Sequence, residues 1–374
     1  MKIGYDAKRA FENQTGLGNY SRDLINTYSL LNPKFQILLF TSKIFQNKRL
    51  DFLKSRDNIK IVKPKNFFHF FQSIWRSFGI LIDLKKEKVD IFHGLSHEIP
   101  FGIHKTKIKT VVTIHDLIFL RLPQYFNIFD RLIYYYKIKY ACMRSDKIIA
   151  ISNQTKSDIM ELFKIESTKI EVVYQSCNSI FKSHNLNVTI KDLGLPKDYI
   201  LYVSSIEERK NLLTLIKAVN IMKHKKLVVI GDGKDYKEKC INYIKNNNLQ
   251  KRIFFKNNLN LEEIAFVYRK ASILVYPSTY EGFGIPIIEA LYSKIPVITT
   301  MGGCFEEAGG TSTKYIDTKN TDEIVSAIKE IENNPTIRKK MIDNGYAHAK
   351  TFCDKSINKK LNNIYSELIN GSRS

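Results

Sequence analysis

Strand-like and helix-like segments alternate along the whole chain, and this alternation constrains the fold more than any other feature. In the first half the apolar, β-type runs are Met1–Tyr5, Phe35–Thr41, Val89–His93, Thr110–His115 and Lys147–Ser152. In the second half they are Tyr199–Ser205, Leu227–Gly231, Ile253–Lys256, Ile273–Pro277 and Pro296–Thr300. Helical segments lie between them, which is the pattern of parallel sheets with covering helices. We therefore predict an α/β protein built from two doubly wound units.

The two series are separated by a polar stretch, Ser183–Asp198, that contains Gly194 and Pro196. Such a stretch is typical of an interdomain linker, and 374 residues exceed what one core usually holds. The sequence thus predicts an N-terminal Rossmann-like domain over residues 1–185 and a C-terminal one over residues 186–352. A last helical segment, residues 353–374, follows, and its periodicity leaves open whether it crosses back to the first domain.

Composition narrows the class of protein. No apolar run approaches the roughly 20 residues that span a bilayer, and the opening residues reach the acidic Asp6 too early for a secretory signal. We expect a cytoplasmic protein that at most rests on the inner face of the cytoplasmic membrane. The five cysteines show no CxxC spacing, which disfavours both a disulfide framework and a zinc site.

The net charge of +22 favours an anionic partner. Nucleic acid, anionic lipid headgroups and phosphorylated ligands all fit the charge alone. The chain shows no helix-turn-helix, RRM or zinc-finger pattern, so we do not expect it to bind nucleic acid.

The segment from Tyr276 to Ala290 carries the most specific chemical signal. A buried strand ends at Pro277, a loop with Glu281 and two glycines follows, and a helix then carries Glu289. Glycines let backbone N–H groups approach a ligand, and a helix N-terminus favours negative charge, so a diphosphate suits this turn. The two glutamates then stand where carboxylates bind hydroxyl groups beside that diphosphate.

Two further motifs follow strands in the same way. Arg209 and Lys210 leave the strand Tyr199–Ser205, and their charges suit phosphate oxygens. Gly16 and Gly18 form a glycine turn ahead of a helix, which also favours phosphate, although their spacing is not that of a nicotinamide-binding fingerprint.

Two histidines end neighbouring strands of the first domain. His115 closes the run Thr110–His115 and is therefore expected at the carboxyl-terminal edge of the sheet, where ligands bind in open α/β folds. A histidine there is either structural or in contact with a ligand, and the sequence permits both. His93 closes the run Val89–His93 and is the weaker candidate, on the acceptor side.

Together these motifs resemble a known family. Glu281-x7-Glu289 within the run EGFGIPIIEA is similar to the signature of the retaining GT-B glycosyltransferases of family four, group 1, which include bacterial surface-polysaccharide mannosyltransferases. The resemblance covers nearly the whole chain. It implies a GT-B fold, with two Rossmann-like domains facing a central cleft. It also implies transfer of a hexose, with retention of configuration, to a glycan or lipid-linked acceptor in the biosynthesis of a surface polysaccharide such as lipopolysaccharide.

The resemblance assigns roles to the Glu281 segment. Glu281 and the loop amides at Phe283, Gly284 and Ile285 contact the transferred sugar and its diphosphate, whereas Glu289 holds the ribose hydroxyls.

Other positions inherit roles through the same resemblance. Arg209 and Lys210 neutralise the leaving diphosphate, and His115 lies close to the transferred sugar. The glycines that would approach the donor are Gly16, Gly18, Gly231 and Gly233. For the last two, a plain turn explains the glycines equally well.

The resemblance also bears on cofactors and on the donor. The chain has no Asp-x-Asp pair suited to Mg²⁺ beside a diphosphate, so we expect a nucleotide-sugar co-substrate and no metal. The opening Gly4–Arg9 and the loop around Gly16 look like those of mannosyltransferases, so GDP-mannose is the expected donor, with a UDP-sugar as the alternative.

Aromatic and basic residues interleave in two segments of the first domain. One contains Phe67, Phe68, Phe71 and Trp75; the other is Arg131–Lys147, with four tyrosines. This composition is typical of a surface that meets anionic lipid. The same aromatics would equally serve to pack a helix against the sheet, and the sequence leaves both interpretations open.

An enzyme is not the only protein with such motifs. A non-catalytic nucleotide-sugar-binding protein of the same fold is the alternative. The presence of Glu281, Glu289, Arg209 and Lys210 together argues against it.

Overall fold

The computed structural model describes residues 1–45, 48–64, 71–183 and 193–371. The chain divides into two compact units, one formed by Met1–Ser176 with Cys353–Ser374, the other by Cys177–Phe352. The division falls between Ser176 and Cys177, whereas the junction expected between residues 185 and 186 lies outside the described residues.

Parallel strands form both sheets. They are β1 (Lys2–Asp6), β2 (Gln36–Phe40), β3 (Ile59–Val62), β4 (Ile91–Gly94), β5 (Lys109–Ile114), β6 (Lys147–Ala150), β7 (Ile170–Val172), β8 (Ile200–Val203), β9 (Leu227–Ile230), β10 (Ile253–Lys256), β11 (Ile273–Tyr276), β12 (Val297–Thr300) and β13 (Lys314–Ile316). Over the described residues, seven strands form one sheet in the order β3-β2-β1-β4-β5-β6-β7, and six form the other in the order β10-β9-β8-β11-β12-β13. Each is the doubly wound order of nucleotide-binding folds, which confirms the predicted fold class.

Helices connect the strands and cover the sheets. They are α1 (Lys8–Glu12), α2 (Gly16–Leu31), α3 (Gln72–Ile74), α4 (Ile80–Lys86), α5 (Ile118–Arg121), α6 (Ile128–Arg144), α7 (Asn153–Phe163), α8 (Ser179–Lys182), α9 (Leu212–Ile221), α10 (Asp235–Asn246), α11 (Leu261–Lys270), α12 (Ile285–Tyr292), α13 (Cys304–Gly309), α14 (Thr321–Asn333), α15 (Pro335–Ala349) and α16 (Asp354–Asn370). A π-helical turn, Trp75–Gly79, joins α3 to α4.

The inner strands of the first sheet are buried on both faces, which is why they are apolar along most of their length. Leu38 of β2 faces a core shared with α4, α6 and α7. Its neighbours Ile37 and Leu39 face the opposite core, shared with α2 and α16. In the register of the sheet, Tyr5 of the central strand β1 pairs with Leu39 and with His93 of β4.

The C-terminal helix α16 completes one face of the first unit, although it follows the second unit in the chain. Leu361, Ile364 and Tyr365 are buried in the core on that face. Tyr28 Oη of α2 also donates a hydrogen bond to Asn362 Oδ1 at 2.6 Å.

In one core of the second unit, β8 and β9 pack against α9, α10 and α14. Because all its strands are parallel, the loops after β8, β9, β11 and β12 emerge at one edge of the sheet. Of the residues predicted to bind the donor, Arg209, Gly231 and Gly284 lie on three of these loops.

The helices and the cysteines bear on two expectations drawn from the composition. No helix in the described part of the chain is both long enough and apolar enough to cross a membrane. The cysteines are free thiols, and all but Cys353 are buried.

Candidate active site

Glu281 is a buried carboxylate at the carboxyl-terminal edge of the second sheet. Its Oε1 accepts hydrogen bonds from Ser278 Oγ at 2.6 Å and from Tyr276 Oη at 2.9 Å. The same oxygen pairs with the ammonium group of Lys210, and Oε2 lies 3.4 Å from Nη1 of Arg209. The protein therefore fixes this carboxylate with four side chains.

The loop of Glu281 is joined to the loop of Arg209 by the backbone. The N–H and the hydroxyl of Thr279 donate to the carbonyl oxygen of Arg209 at 2.8 and 3.1 Å. Gly284 ends the turn with a φ of +139°, which only glycine adopts readily, and α12 begins at the next residue. The two motifs predicted from the sequence thus form one structure.

The charges of this cluster depend on one another. Burial by itself raises the pKa of the Glu281 carboxyl, but Lys210 and Arg209 outweigh that effect and lower it to about 2. Burial lowers the pKa of Lys210, and the carboxylate of Glu281 offsets part of that change. Glu281 is therefore ionised at neutral pH, and removing it would leave two cations side by side.

Arg209 is the outermost member of the cluster. Its side chain is 15% exposed, against 8% for Lys210 and 11% for Glu281. Its Nε lies 3.3 Å from a carboxylate oxygen of Glu207, and its Nη1 donates to the carbonyl of Tyr280 at 3.2 Å. A partly exposed guanidinium with several donors can bind an anion without leaving the cluster.

Glu289 lies more than a turn into α12 and is half-buried. Tyr268 Oη of α11 donates to its Oε2 at 2.8 Å. Burial, followed by the charge of Glu289, raises the pKa of this tyrosine, so its hydroxyl stays a donor. One carboxylate oxygen of Glu289 is therefore positioned by the protein.

The residues between the two glutamates contribute through their backbone. The Phe283 side chain is buried against Phe352, with ring centroids 5.5 Å apart, so the ring belongs to the core. Gly284 has no side chain, and Ile285 opens the eight-residue helix α12. These positions can therefore offer a ligand the N–H groups of a helix N-terminus.

Gly231 and Gly233 are required by internal packing. A Cβ on Gly231 would lie 1.8 Å from the carbonyl oxygen of Ser204, and one on Gly233 would lie 2.2 Å from that of Ile206. Their loop therefore lies directly against the loop that leads to Arg209. This contact alone accounts for glycine at both positions.

Gly16 and Gly18 of the first unit differ in whether internal packing requires a glycine. A Cβ on Gly18 would lie 1.9 Å from the carbonyl oxygen of Asn13, whereas one on Gly16 would meet no atom of the described residues within 4 Å. Asn13 Oδ1 also accepts from the N–H groups of Thr15 at 2.9 Å and Gly18 at 3.1 Å. Gly18 is thus needed by the fold, while Gly16 faces open space at the start of α2.

His115 lies just beyond β5 and is buried. Its Nε2 donates to the carbonyl of Leu95 at 2.8 Å, which leaves Nδ1 to accept from Gln175 Nε2 at 3.0 Å. Burial lowers its pKa to about 3, so the ring is neutral. Because both nitrogens bond the protein, the imidazole is a positioned neutral group and not a free base.

His93, which was expected on the acceptor side, lies in the core, and so does Trp75, for which the sequence left a membrane surface and core packing open. The ring nitrogens of His93 are 2.6 Å from Tyr365 Oη and 2.8 Å from Thr113 Oγ1, and the residue is fully buried. Trp75 is 1% exposed, and its Nε1 donates to Asp83 at 2.7 Å. Both side chains are enclosed because the elements that carry them are covered on each face.

The rest of that aromatic segment is only partly described. Phe71 is 46% exposed, so it remains available at the surface. Phe67 and Phe68 lie outside the described residues.

The second aromatic segment forms the helix α6, which is apolar on both faces. Ile138, Ala141 and Cys142 are buried against the sheet. In the first half of the helix, residues 128–136, five large apolar residues are between 49% and 72% exposed: Ile128, Phe129, Leu132, Ile133 and Tyr136. Their spacing along the chain places them on one side of the helix. We call this set the α6 apolar face.

Three tyrosine and serine partners of the glutamates were not singled out from the sequence. Tyr276 and Ser278 lie five and three residues before Glu281, inside the recognised motif, so their proximity was available as a signal. Tyr268 meets Glu289 from another helix, and no local pattern marks it. Among the described residues, no three His, Cys, Asp or Glu side chains converge as a metal site.

Comparison with known proteins gives matches in both units. The profile for glycosyl transferases group 1 matches residues 188–348, and the profile for Glycosyltransferase Family 4 matches residues 29–178. The O-antigen chain mannosyltransferase RfbU of Salmonella typhimurium is 27% identical over 71% of this chain and 71% of its own. O-antigen chain mannosyltransferase B of Escherichia coli is 24% identical over 98% of this chain and 100% of its own.

Solved structures match the fold. Sucrose-phosphate synthase from Thermosynechococcus elongatus has a TM-score of 0.81 at 18% identity, over 99% of this chain and 100% of that one. Anabaena HepE in complex with UDP-glucose has a TM-score of 0.77 at 14% identity, over 98% and 100% of the two chains.

Two doubly wound units, one of which holds two cations and a carboxylate at its strand ends, define a glycosyltransferase of the GT-B fold. Because the two family profiles together span most of both units, the chain belongs to the group 1 glycosyltransferases of family 4. This confirms the resemblance seen in the sequence.

Proposed function

We propose that this enzyme transfers a hexose from a nucleotide diphosphate sugar to a glycan or a lipid-linked oligosaccharide, as one step in the assembly of a surface polysaccharide. The observation that carries the proposal is the buried cluster of Arg209, Lys210 and Glu281, with Glu289 on the helix that follows. Cations that meet a carboxylate suit a ligand in which a diphosphate adjoins a hydroxyl-rich ring.

Each member of the cluster has a role in this proposal. Arg209, the outermost cation, binds the leaving diphosphate, and Lys210 adds a second positive charge behind it. Glu281 accepts hydrogen bonds from hydroxyl groups of the transferred sugar. Glu289, which is held by Tyr268, accepts hydrogen bonds from the ribose hydroxyls. The loop N–H groups from Phe283 to Ile285 add to the binding of the diphosphate.

The reaction in this proposal retains the anomeric configuration and needs no metal ion. The two cations stabilise the charge that develops on the diphosphate as it leaves. Glu281 is engaged by four donor side chains and has a pKa near 2, which makes it a poor nucleophile. Departure of the diphosphate and attack by the acceptor therefore take place on the same face of the sugar, without a covalent intermediate on the protein.

The relatives guide the choice of donor and acceptor. Similarity to two O-antigen chain mannosyltransferases favours GDP-mannose, and similarity of fold to a protein solved with UDP-glucose supports a UDP-sugar as the alternative. In the same proposal the acceptor is a lipid-linked saccharide at an anionic membrane surface. The α6 apolar face, with Arg131 and Lys137 on the same helix, supports that placement.

A panel of nucleotide sugars tests the function. The purified chain is incubated with GDP-mannose, GDP-glucose, UDP-glucose or UDP-galactose, with and without EDTA, and nucleotide release is measured. We expect one donor to be consumed, with an undiminished rate in EDTA. When a polyprenyl-diphosphate-linked saccharide is added as acceptor, we expect an α-linked product by NMR. Arg209→Gln should lower kcat by at least about a hundredfold, because the leaving charge loses its outermost partner. Consumption of none of these donors would contradict the proposal.

A further inference from the structure

The loop that follows β4 holds two polar atoms that the protein leaves unpaired. Ser96 Oγ and His97 Nδ1 are shielded from solvent and have no hydrogen-bond partner among the described residues. Ser96 as a whole is only 4% exposed. A buried polar atom without a partner is costly, so two in adjacent residues require an explanation.

His97 also has an unfavourable backbone. Its φ is +65°, in the left-handed region that a histidine rarely adopts. Its N–H donates to the carbonyl of Thr113 at 2.9 Å, and the carbonyl of Leu95 accepts from His115. These bonds to residues of β5 and its end hold the loop in place around His97.

The two ends of the loop are fixed as well. Glu98 accepts from Arg76 Nη1 at 2.8 Å. The chain folds back so closely that a Cβ on Gly94 would lie 2.0 Å from the carbonyl oxygen of Glu98. Strained conformations persist where the surroundings over-determine them, and they concentrate at functional sites.

The ring of His97 lies beside that of His115, with centroids 5.2 Å apart. His115 has both nitrogens engaged by the protein, whereas no hydrogen bond of the described residues reaches either nitrogen of His97. Burial, then the charge of Arg9, lowers the pKa of His97 to about 4, so its ring is neutral and offers one donor and one acceptor.

We propose that Ser96 and His97 form a subsite of the first unit that binds a hydroxyl group of a sugar substrate. The subsite rests on the proposed glycosyl transfer. A sugar hydroxyl both donates and accepts, as do the serine hydroxyl and the neutral imidazole. The strained loop presents the two side chains at the carboxyl-terminal edge of the sheet, and His115 holds the loop through Leu95.

The hydroxyl has two possible sources, the transferred hexose and the acceptor saccharide, and kinetics distinguishes them. Transfer is measured with the consumed donor and a polyprenyl-diphosphate-linked disaccharide, and donor hydrolysis is measured with no acceptor. If the hydroxyl belongs to the hexose, variants of the subsite lower both rates. If it belongs to the acceptor, they raise the KM of the acceptor and leave hydrolysis unchanged. Either result supports the subsite.

The variants are chosen to suit the left-handed backbone of His97. His97→Gly removes the ring at a position where glycine is unstrained, and Lys164→Gly does the same at an exposed position of the first unit with a φ of +57°. We expect His97→Gly and Ser96→Ala each to lower kcat/KM for transfer about tenfold. Their melting temperatures should stay within about 2 °C of the wild type. His97→Asn, which tolerates this backbone and keeps a polar group, should recover part of the rate. Lys164→Gly should transfer at the wild-type rate.

Failure of the subsite differs from failure of the proposed function. An active wild type whose His97→Gly and Ser96→Ala variants keep full kcat/KM for both substrates would overturn the subsite alone. A wild type that consumes no nucleotide sugar would overturn the proposed function and the subsite with it. If His97→Gly is unfolded, the comparison of His97→Asn with Ser96→Ala decides, and wild-type kinetics in both overturns the subsite.

Discussion

The ammonium group of Lys210 lies against the carboxylate of Glu281, and their side chains are only 8% and 11% exposed. Bringing two such charges out of water costs about as much as their attraction returns. A pair of this kind is therefore a poor device for stability. Its position at the ends of parallel strands, beside Arg209, fits a role in binding charged substrate.

Glu281→Ala should lower the free energy of unfolding by about 3–5 kcal/mol, because it leaves the buried ammonium group of Lys210, with Arg209 beside it, without the carboxylate that both cations share. It should also abolish transfer. The double variant Lys210→Met/Glu281→Gln removes both charges of the pair, and we expect it to recover most of the stability and none of the activity. Urea unfolding and nucleotide release measure the two effects.

Glu281→Gln alone is the matched control for shape, because its amide oxygen can still accept from Ser278 and Tyr276. It should be destabilised like Glu281→Ala if charge is the cause. A Glu281→Ala protein as stable as the wild type would show that the ion pair contributes nothing to the fold.

Gly16 and Gly18 should respond oppositely to alanine. Gly18→Ala places a Cβ 1.9 Å from the carbonyl oxygen of Asn13 and should cost about 1–3 kcal/mol of stability. Gly16→Ala adds a methyl group in open space at the start of a helix, so stability should stay the same or rise by up to about 1 kcal/mol.

Activity then separates the two glycines. If a substrate approaches the backbone of Gly16 closely, Gly16→Ala raises the KM of the donor several-fold in a fully folded protein. Equal kinetics in Gly16→Ala and the wild type would assign that glycine no part in binding. Urea unfolding of both variants shows whether a change in kinetics comes from lost stability.

Tyr268 is expected to act through Glu289. Tyr268→Phe removes the donor that holds one carboxylate oxygen, so the KM of the nucleotide sugar should rise about three- to tenfold with little change in kcat. Tyr199→Phe is the matched control, because it deletes a buried hydroxyl that donates to the backbone carbonyl of Val267 and bonds neither glutamate. Similar kinetics in the two variants would show that Glu289 needs no such support.

Much of the fold follows from the sequence because each doubly wound unit repeats one local pattern, a strand followed by a helix. Apolar runs separated by helical segments can bury both faces of a parallel sheet in few ways. Short edge strands such as β3 and β13 were missed, since each includes a lysine and lacks the continuous apolar run of an inner strand. The motif around Glu281 was found because strand, loop and helix are contiguous in the chain.

The partners of the site residues were harder to predict, since they come from distant parts of the chain. The bond between Lys210 and Glu281 joins residues 71 positions apart. His93 was expected on the acceptor side, and Trp75 either at a membrane surface or in the core, because strand ends and aromatic–basic runs occur in both cores and interfaces. Only the packing of α16 and of the 75–79 turn shows that both are enclosed.

Acid should destabilise the first unit before it affects the Glu281 cluster. Burial lowers the pKa of His93 and His115 to about 3 and that of His97 to about 4, so below the usual histidine value the unfolded chain binds protons that the folded one does not. The free energy of unfolding should therefore fall by about 5 kcal/mol between pH 6.5 and 5. The pKa of Glu281 is lowered to about 2, so its contribution is lost only below about pH 4.5.

Urea unfolding at pH 7, 6 and 5 measures this slope. His93→Asn should remove about a third of it, whereas His104→Asn, at an exposed position of the same unit, should keep the wild-type slope. A free energy of unfolding that stays constant from pH 7 to 5 would mean that the three histidines are protonated without loss of the fold.

The α6 apolar face should bind the protein to anionic membranes. Phe129 and Tyr136 are 72% and 67% exposed on a helix that also carries Arg131 and Lys137. Burying one such ring in a lipid headgroup zone is worth about 1.5–3 kcal/mol, so Phe129→Ser should weaken binding to phosphatidylglycerol-containing vesicles at least about tenfold.

Flotation of the wild type with these vesicles, compared with purely zwitterionic ones, tests the surface. Leu30→Ser is the matched control, because Leu30 is 56% exposed on α2 of the same unit and lies outside the α6 apolar face. It should float like the wild type, while Phe129→Ser and Tyr136→Ser remain in the dense fraction and still hydrolyse donor in solution. Equal flotation of all three variants would place membrane contact elsewhere, because a helix that inserts its rings must lose affinity when one is removed.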